Sequence, residues 1–121
     1  MKKYIKQVNY IDKEINECEV ILNDGQFEIM CFAQPYNENN DFSINAFLVQ
    51  NIMTALDNNY SVVKSNNGHF AYSIQGKLLS KNRGEVKVGE FYIKLENPQE
   101  IPKDINEGEF VQFNCQRLDL N

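Results

Sequence analysis

The sequence predicts an all-β fold, and three observations carry that expectation. Apolar and polar residues alternate in short runs; turn signals built on Asn, Asp and Gly separate the runs about every 8–12 residues; and helical spacing appears only within 43–57. A chain of 121 residues buries enough surface for one core without metal or disulfide staples, so residues 1–121 are expected to form a single domain.

The first element is a hairpin. Residues 15–22 and 26–34 are β-rich, and Asn23-Asp24-Gly25 lies between them. With Asp24-Gly25 as a two-residue type I′ loop, Leu22 faces Phe27, Val20 faces Ile29 and Cys18 faces Cys31. Such a non-hydrogen-bonded pair, about 4.5 Å apart at Cα, is close enough for a disulfide. In a reducing cytosol the expected state is instead a set of buried thiols.

Residues 42–56 satisfy two templates. Helical spacing catches Ile44, Phe47, Leu48, Ile52, Ala55 and Leu56, whereas strand spacing catches Phe42, Ile44, Ala46, Leu48, Ile52 and Leu56. The missing capping box and the poor helix formers Asn45, Asn51 and Thr54 favour strand, with a single short helix within 43–57 as the alternative.

A second hairpin is expected around Asn67-Gly68, with Val63 across from Tyr72 and Ser65 across from Phe70. The turn Lys81-Asn82-Arg83-Gly84 leads into a strand over 85–88, and beyond Gly89 the alternation of Phe91, Ile93 and Leu95 gives another. In the last run, 110–118, Val111, Phe113 and Cys115 share one face. The expected core comprises Ile5, Val20, Leu22, Phe27, Ile29, Cys31, Tyr72, Ile74, Leu78, Phe91, Ile93, Leu95, Val111 and Phe113. Over residues 3–34 and 60–118 this succession of strands and turns resembles the OB-fold group of small Greek-key barrels. The resemblance is one of architecture, and it implies a closed barrel of five to seven strands.

Composition narrows the function. Seventeen asparagines against four alanines reflect a codon bias toward A and T, since the amides fall between apolar segments rather than in one tract. No apolar run exceeds the five residues 29–33, so no membrane partner is expected, and the lysines near Met1 precede no apolar stretch of the kind a secretory signal needs. The expected location is the cytoplasm.

Cys18, Cys31 and Cys115 lack metal-ligand spacing and have only His69 to join them, so neither a metal nor a cofactor is expected. Neither a nucleophile elbow nor a phosphate-binding glycine loop is present; Gly84 and Gly89 are not followed by Lys-Ser/Thr. Asp12, Glu14, Glu17 and Glu19 read as the solvated face of a sheet. No catalytic residue is nominated. A small hydrolase is the least favoured function, because it would need His69 or a carboxylate pair inside a cleft.

Charge separates the remaining readings. Net charge is −5, yet residues 1–41 hold eight acids and four bases, 42–88 two acids and five bases, and 89–121 seven acids and three bases. Acidic ends suit a non-catalytic domain that engages a basic protein partner, as immunity proteins and nuclease inhibitors do. The alternative is a single-stranded nucleic-acid module on the basic, aromatic segment 60–87, using Lys64, Lys77, Lys81, Arg83 and Lys87 with Tyr72 as a stacking platform. The acidic whole weakens that alternative.

Overall fold

The computed structural model describes residues 4–36 and 42–121. They form one sheet of eleven strands: β1 (Tyr4–Asp12), β2 (Glu17–Asn23), β3 (Glu28–Ala33), β4 (Ile44–Phe47), β5 (Gln50–Thr54), β6 (Ser61–Lys64), β7 (Tyr72–Ser80), β8 (Glu85–Val88), β9 (Phe91–Leu95), β10 (Phe110–Cys115) and β11 (Arg117–Leu120). The all-β expectation holds, but the strands outnumber the expected five to seven because several runs break. Within residues 42–56 the structure has two strands, β4 and β5, and no helix, and the break between them lies at Leu48, whose φ of 53° turns the chain so that Val49 is buried while Leu48 is 64% exposed. The last run breaks likewise at Gln116, between β10 and β11. Among the described residues the only helical element is one 3₁₀ turn, Pro98–Glu100.

Strand order is β1-β2-β3-β11-β4-β9-β8-β7-β10-β5, with β6 paired to β7. The β3–β11 and β4–β9 pairs are parallel and the others antiparallel. β7 is long enough to serve two neighbours on one edge: β6 pairs with its first half and β8 with its second, while β10 occupies the opposite edge.

The sheet curls without closing. β3 and β7 lie five places apart in the strand order, yet the Met30 N–H of β3 donates to the Tyr72 hydroxyl oxygen of β7 at 2.9 Å. Phe27–Tyr60 and Phe32–Phe70 edge contacts fill the same seam, with ring centroids 6.5 and 5.6 Å apart. Side chains thus do at this seam what ladder hydrogen bonds do in a closed barrel, and the closed OB-like barrel is not formed. The core lies inside the curl around Phe91, Phe113, Leu22, Ile29, Ile74 and Leu118, all essentially inaccessible. Of the fourteen expected core residues, Ile5 and Phe27 are partly buried against this core and the rest are buried.

Both hairpin registers differ from expectation. In the first, Cys18 faces Ala33 and Val20 faces Cys31, so Cys18 and Cys31 are not opposite and all three cysteines are free thiols. Asp24 causes this. Its Oδ1 accepts the Gln26 and Phe27 N–H groups at 2.8 and 2.7 Å, and its own N–H donates to the Phe27 carbonyl, which closes a four-residue loop rather than a two-residue one. A shift of two residues preserves the side-chain face, so the expected core face survives.

The β6–β7 register is instead displaced by one: Lys64, not Val63, faces Tyr72. An odd shift exchanges the faces, so Val62 packs on the core and Val63 is 56% exposed. The wider loop is held by the Lys64 ammonium, which donates to the Ser65, Gly68 and Ala71 carbonyls at 3.1, 2.6 and 3.1 Å.

Candidate functional site: an acidic apolar corner

Two of the basic residues nominated from the sequence, Lys64 and Lys81, are engaged by nearby backbone carbonyls. Lys64 is committed to its loop carbonyls, with its ammonium 5.5 Å from the centroid of the Tyr72 ring. That ring is itself buried, so it presents no free face on which a base could stack. Burial raises the Tyr72 phenol pKa, against the lowering effect of the Met30 N–H bond. Lys81 donates to the Pro102 and Lys103 carbonyls at 3.4 and 3.1 Å, and Arg83 stands on the exposed turn before β8. Lys77 and Lys87 are directly opposed residues of β7 and β8, with Tyr92 of β9 opposite Lys87.

His69 has a side chain 65% exposed, yet it is not alone: its Nε2 meets the Glu19 carboxylate across the open seam, and its ring stands edge-on to Phe70. Among the described residues no further hydrogen bond orients its ring, and no three His, Cys, Asp or Glu side chains are arranged to hold a metal ion. The thiols are buried. Desolvation drives the Cys31 pKa far above the ordinary thiol value, pushes Cys115 up to about 11 and raises Cys18, the neighbouring Glu17 charge adding to the last. Raised thiol pKa values mean little thiolate, and so little nucleophile, at neutral pH.

A groove of about 330 Å³ opens on the outer face of β5, β10, β7 and β6, floored by Ser73, Gln75, Gln112 and Asn114 and walled by Met53 and Val63. Ser73 Oγ donates to Asn114 Oδ1 at 2.7 Å, and the Gln75 amide donates to Asp57 Oδ1 at 2.6 Å. The groove offers neutral hydrogen-bonding groups, and neither His69 nor a carboxylate lines it.

The feature that best matches an interaction surface lies at the far end of β1. Two irregularities interrupt β1, one between Ile5 and Gln7 and one between Tyr10 and Asp12, where Ile11 has no opposite residue on β2. A bulge re-aims the side chain it inserts. Ile11 is accordingly 49% exposed, beside Tyr10 at 46% and, in the following turn, Ile15 at 45%. Asp12 ends β1, Glu17 starts β2, and Glu14 lies in the turn between them. Asp12 Oδ1 accepts the Glu14 N–H at 3.0 Å, which shapes the turn. Asp12 and Glu17 are the last opposed pair of the β1–β2 ladder, so two acidic residues stand across from each other. That arrangement destabilises a sheet unless a cation intervenes.

Sequence reasoning missed these apolar residues, although a signal existed. Tyr10 and Ile11 are adjacent, so in a strand of period two at least one of them must leave the core face, and Asp12 follows at once. No helix among the described residues is long and apolar enough to cross a membrane. Compared with models of protein families, with curated proteins and with solved structures, the chain matches none.

Proposed function

We propose that this chain is a non-catalytic binding domain whose acidic, apolar corner at the end of β1 engages a basic surface of a protein partner. The observation that carries the reading is the clustering of exposed Tyr10, Ile11 and Ile15 among Asp12, Glu14 and Glu17. Interfaces of this kind place apolar anchors at the centre and charge at the rim, and complementary charge speeds the encounter and rejects wrong partners. An inhibitor-like role, in which the corner covers a basic functional surface, is the form of the reading that the charge favours.

The test is capture from source lysate with the wild-type chain, an Ile11→Asp/Ile15→Asp variant and a Leu56→Asp control. Leu56 is a fully exposed apolar side chain elsewhere on the surface. A partner held by wild type and control but lost by the double variant supports the reading; equal recovery by all three refutes it.

A second reading, single-stranded nucleic-acid binding, draws on the opposed Lys77 and Lys87 with exposed Tyr92 beside them. It predicts salt-sensitive anisotropy of a labelled oligonucleotide, abolished by reversing both lysine charges. Unchanged anisotropy of the wild-type mixture at low salt ends it.

A further inference from the structure

The geometry points to strand addition as the binding mode of that corner: an extended, basic segment of the partner pairs with the open edge of β1 and sets a lysine or arginine between Asp12 and Glu17. This rests on the protein-binding reading above and specifies its partner chemistry.

Three observations converge on it. Among the described residues β1 pairs only with β2, so the backbone groups along its other edge have no ladder partner. An extended peptide satisfies such an edge through main-chain hydrogen bonds, while alternate side chains supply specificity. The two irregularities leave Gln7–Tyr10 as the regular window, which fits a short incoming segment and shortens what a second copy of the bulged strand could pair.

Charge selects the kind of segment. Residues 4–19 hold Asp12, Glu14, Glu17 and Glu19 against Lys6 and Lys13. Lys6 is taken by Glu28 at 2.7 Å, Glu19 by His69, and the Lys13 ammonium stands 6.0 Å from the Tyr10 ring centroid. Among the described residues Asp12, Glu14 and Glu17 have no ion pair of their own, and the first and last of these are opposed in the strand register. A cationic side chain arriving there would neutralise a repulsion the isolated chain carries, while exposed Tyr10 and Ile11 cover the aliphatic part of its stem.

The probe is a short acetylated peptide of alternating valine and lysine, labelled for anisotropy, together with the same peptide N-methylated at alternate residues. The unmodified peptide is expected to bind at low salt, and N-methylation, which removes the edge donors and leaves the charge, is expected to weaken it by at least about tenfold. Glu17→Gln is expected to weaken binding about two- to fivefold, the range of a single exposed ion pair, while raising the thermal midpoint because the repulsion with Asp12 is gone. Opposite signs of those two effects would not arise from loss of folding, and Glu17→Gln keeps the probe usable where Ile11→Asp compromises the strand.

Equal affinity of the N-methylated peptide overturns strand addition and leaves the protein-binding reading standing. If Glu17→Gln lowers the midpoint, or leaves peptide binding unchanged, the assignment of the cation to Asp12 and Glu17 is wrong. A concentration-dependent dimer in sedimentation, dissolved by the peptide, would make the occupant a second copy of this chain and overturn the basic-partner assignment. Loss of lysate capture by Ile11→Asp/Ile15→Asp despite no peptide binding would likewise separate a surface partner from an extended one, refuting the mode alone.

Discussion

Replacing Asp24 with asparagine tests whether one carboxylate ties the β2–β3 turn to the rest of the sheet. Asp24 is buried; its Oδ1 takes the Gln26 and Phe27 N–H groups, and its Oδ2 takes the Glu90 N–H at 2.8 Å, from the turn between β8 and β9. Asparagine can keep the first two bonds with its carbonyl, but it then presents an NH₂ group to the Glu90 donor. One hydrogen bond to a charged acceptor is lost, worth about 1.5–3 kcal/mol, and a buried N–H is left without its partner. Since Gly89, at φ +60°, has no Cβ and a Cβ there would strike Asp24 Oδ2 and Phe27, little rearrangement is open to the pair of turns. The expected loss is therefore about 2–3 kcal/mol, out of the 5–15 kcal/mol typical of a small domain.

Urea denaturation followed by tyrosine fluorescence measures it, with an unchanged m-value and a lower midpoint. Acid supplies an independent check. Burial alone would raise the Asp24 pKa, but the N–H bonds from Glu90, Phe27 and Gln26 outweigh it and hold the native value below the ordinary one. A depressed native pKa contributes stability that is fully present above the unfolded value of about 3.9 and is lost as pH falls through the native value. The wild type should thus lose part of its advantage over Asp24→Asn below about pH 4. A variant within about 0.5 kcal/mol of wild type, or a difference that does not shrink in acid, would refute the tether.

Three further outcomes are expected. A Cβ on Gly76 would lie 2.5 Å from the Lys87 carbonyl oxygen and 2.6 Å from Val88 Cγ2, so Gly76→Ala should cost about 3 kcal/mol or more, or prevent β7 from pairing with β8; a thermal midpoint near wild type would contradict the register. Tyr72→Phe removes the acceptor for the Met30 N–H and should cost about 1–2 kcal/mol while speeding hydrogen exchange at Met30; exchange as slow as wild type would show that the seam does not depend on this bond. With Cys18, Cys31 and Cys115 all buried and their pKa values raised, the native protein should react slowly with a disulfide-exchange reagent near neutral pH and release all three thiols on unfolding; a fast native thiol would contradict their burial.

Local pattern disclosed faces better than partners. The alternation in 85–88 and 91–95, and the shared face of Val111, Phe113 and Cys115, appear as expected because an alternating strand needs only one covered side to fix which residues turn inward. Register was legible only to the extent that turn chemistry was local. Asp24 lengthened its loop by bonding both to its own turn and to Glu90, sixty-six residues away, and Lys64 widened the next by binding three carbonyls. Of the residues nominated for a site, Lys64 and Lys81 donate to backbone carbonyls and Tyr72 is a seam residue, roles that depend on which strands come close. The candidate corner was half legible: its acids stand in the sequence, whereas the exposure of Tyr10, Ile11 and Ile15 depends on where β1 bulges.

By itself, then, the sequence determined the class of the fold, the inward faces of most strands and the uneven distribution of charge, because period-two alternation and composition are carried by the chain without reference to distant partners. Tertiary structure decided how far the sheet curls, that side chains rather than ladder bonds hold its seam, and that two like charges, Asp12 and Glu17, end a strand pair at an open edge. Those outcomes turn on contacts between residues far apart in the chain, where a single buried hydrogen bond or a one-residue bulge outweighs any local preference.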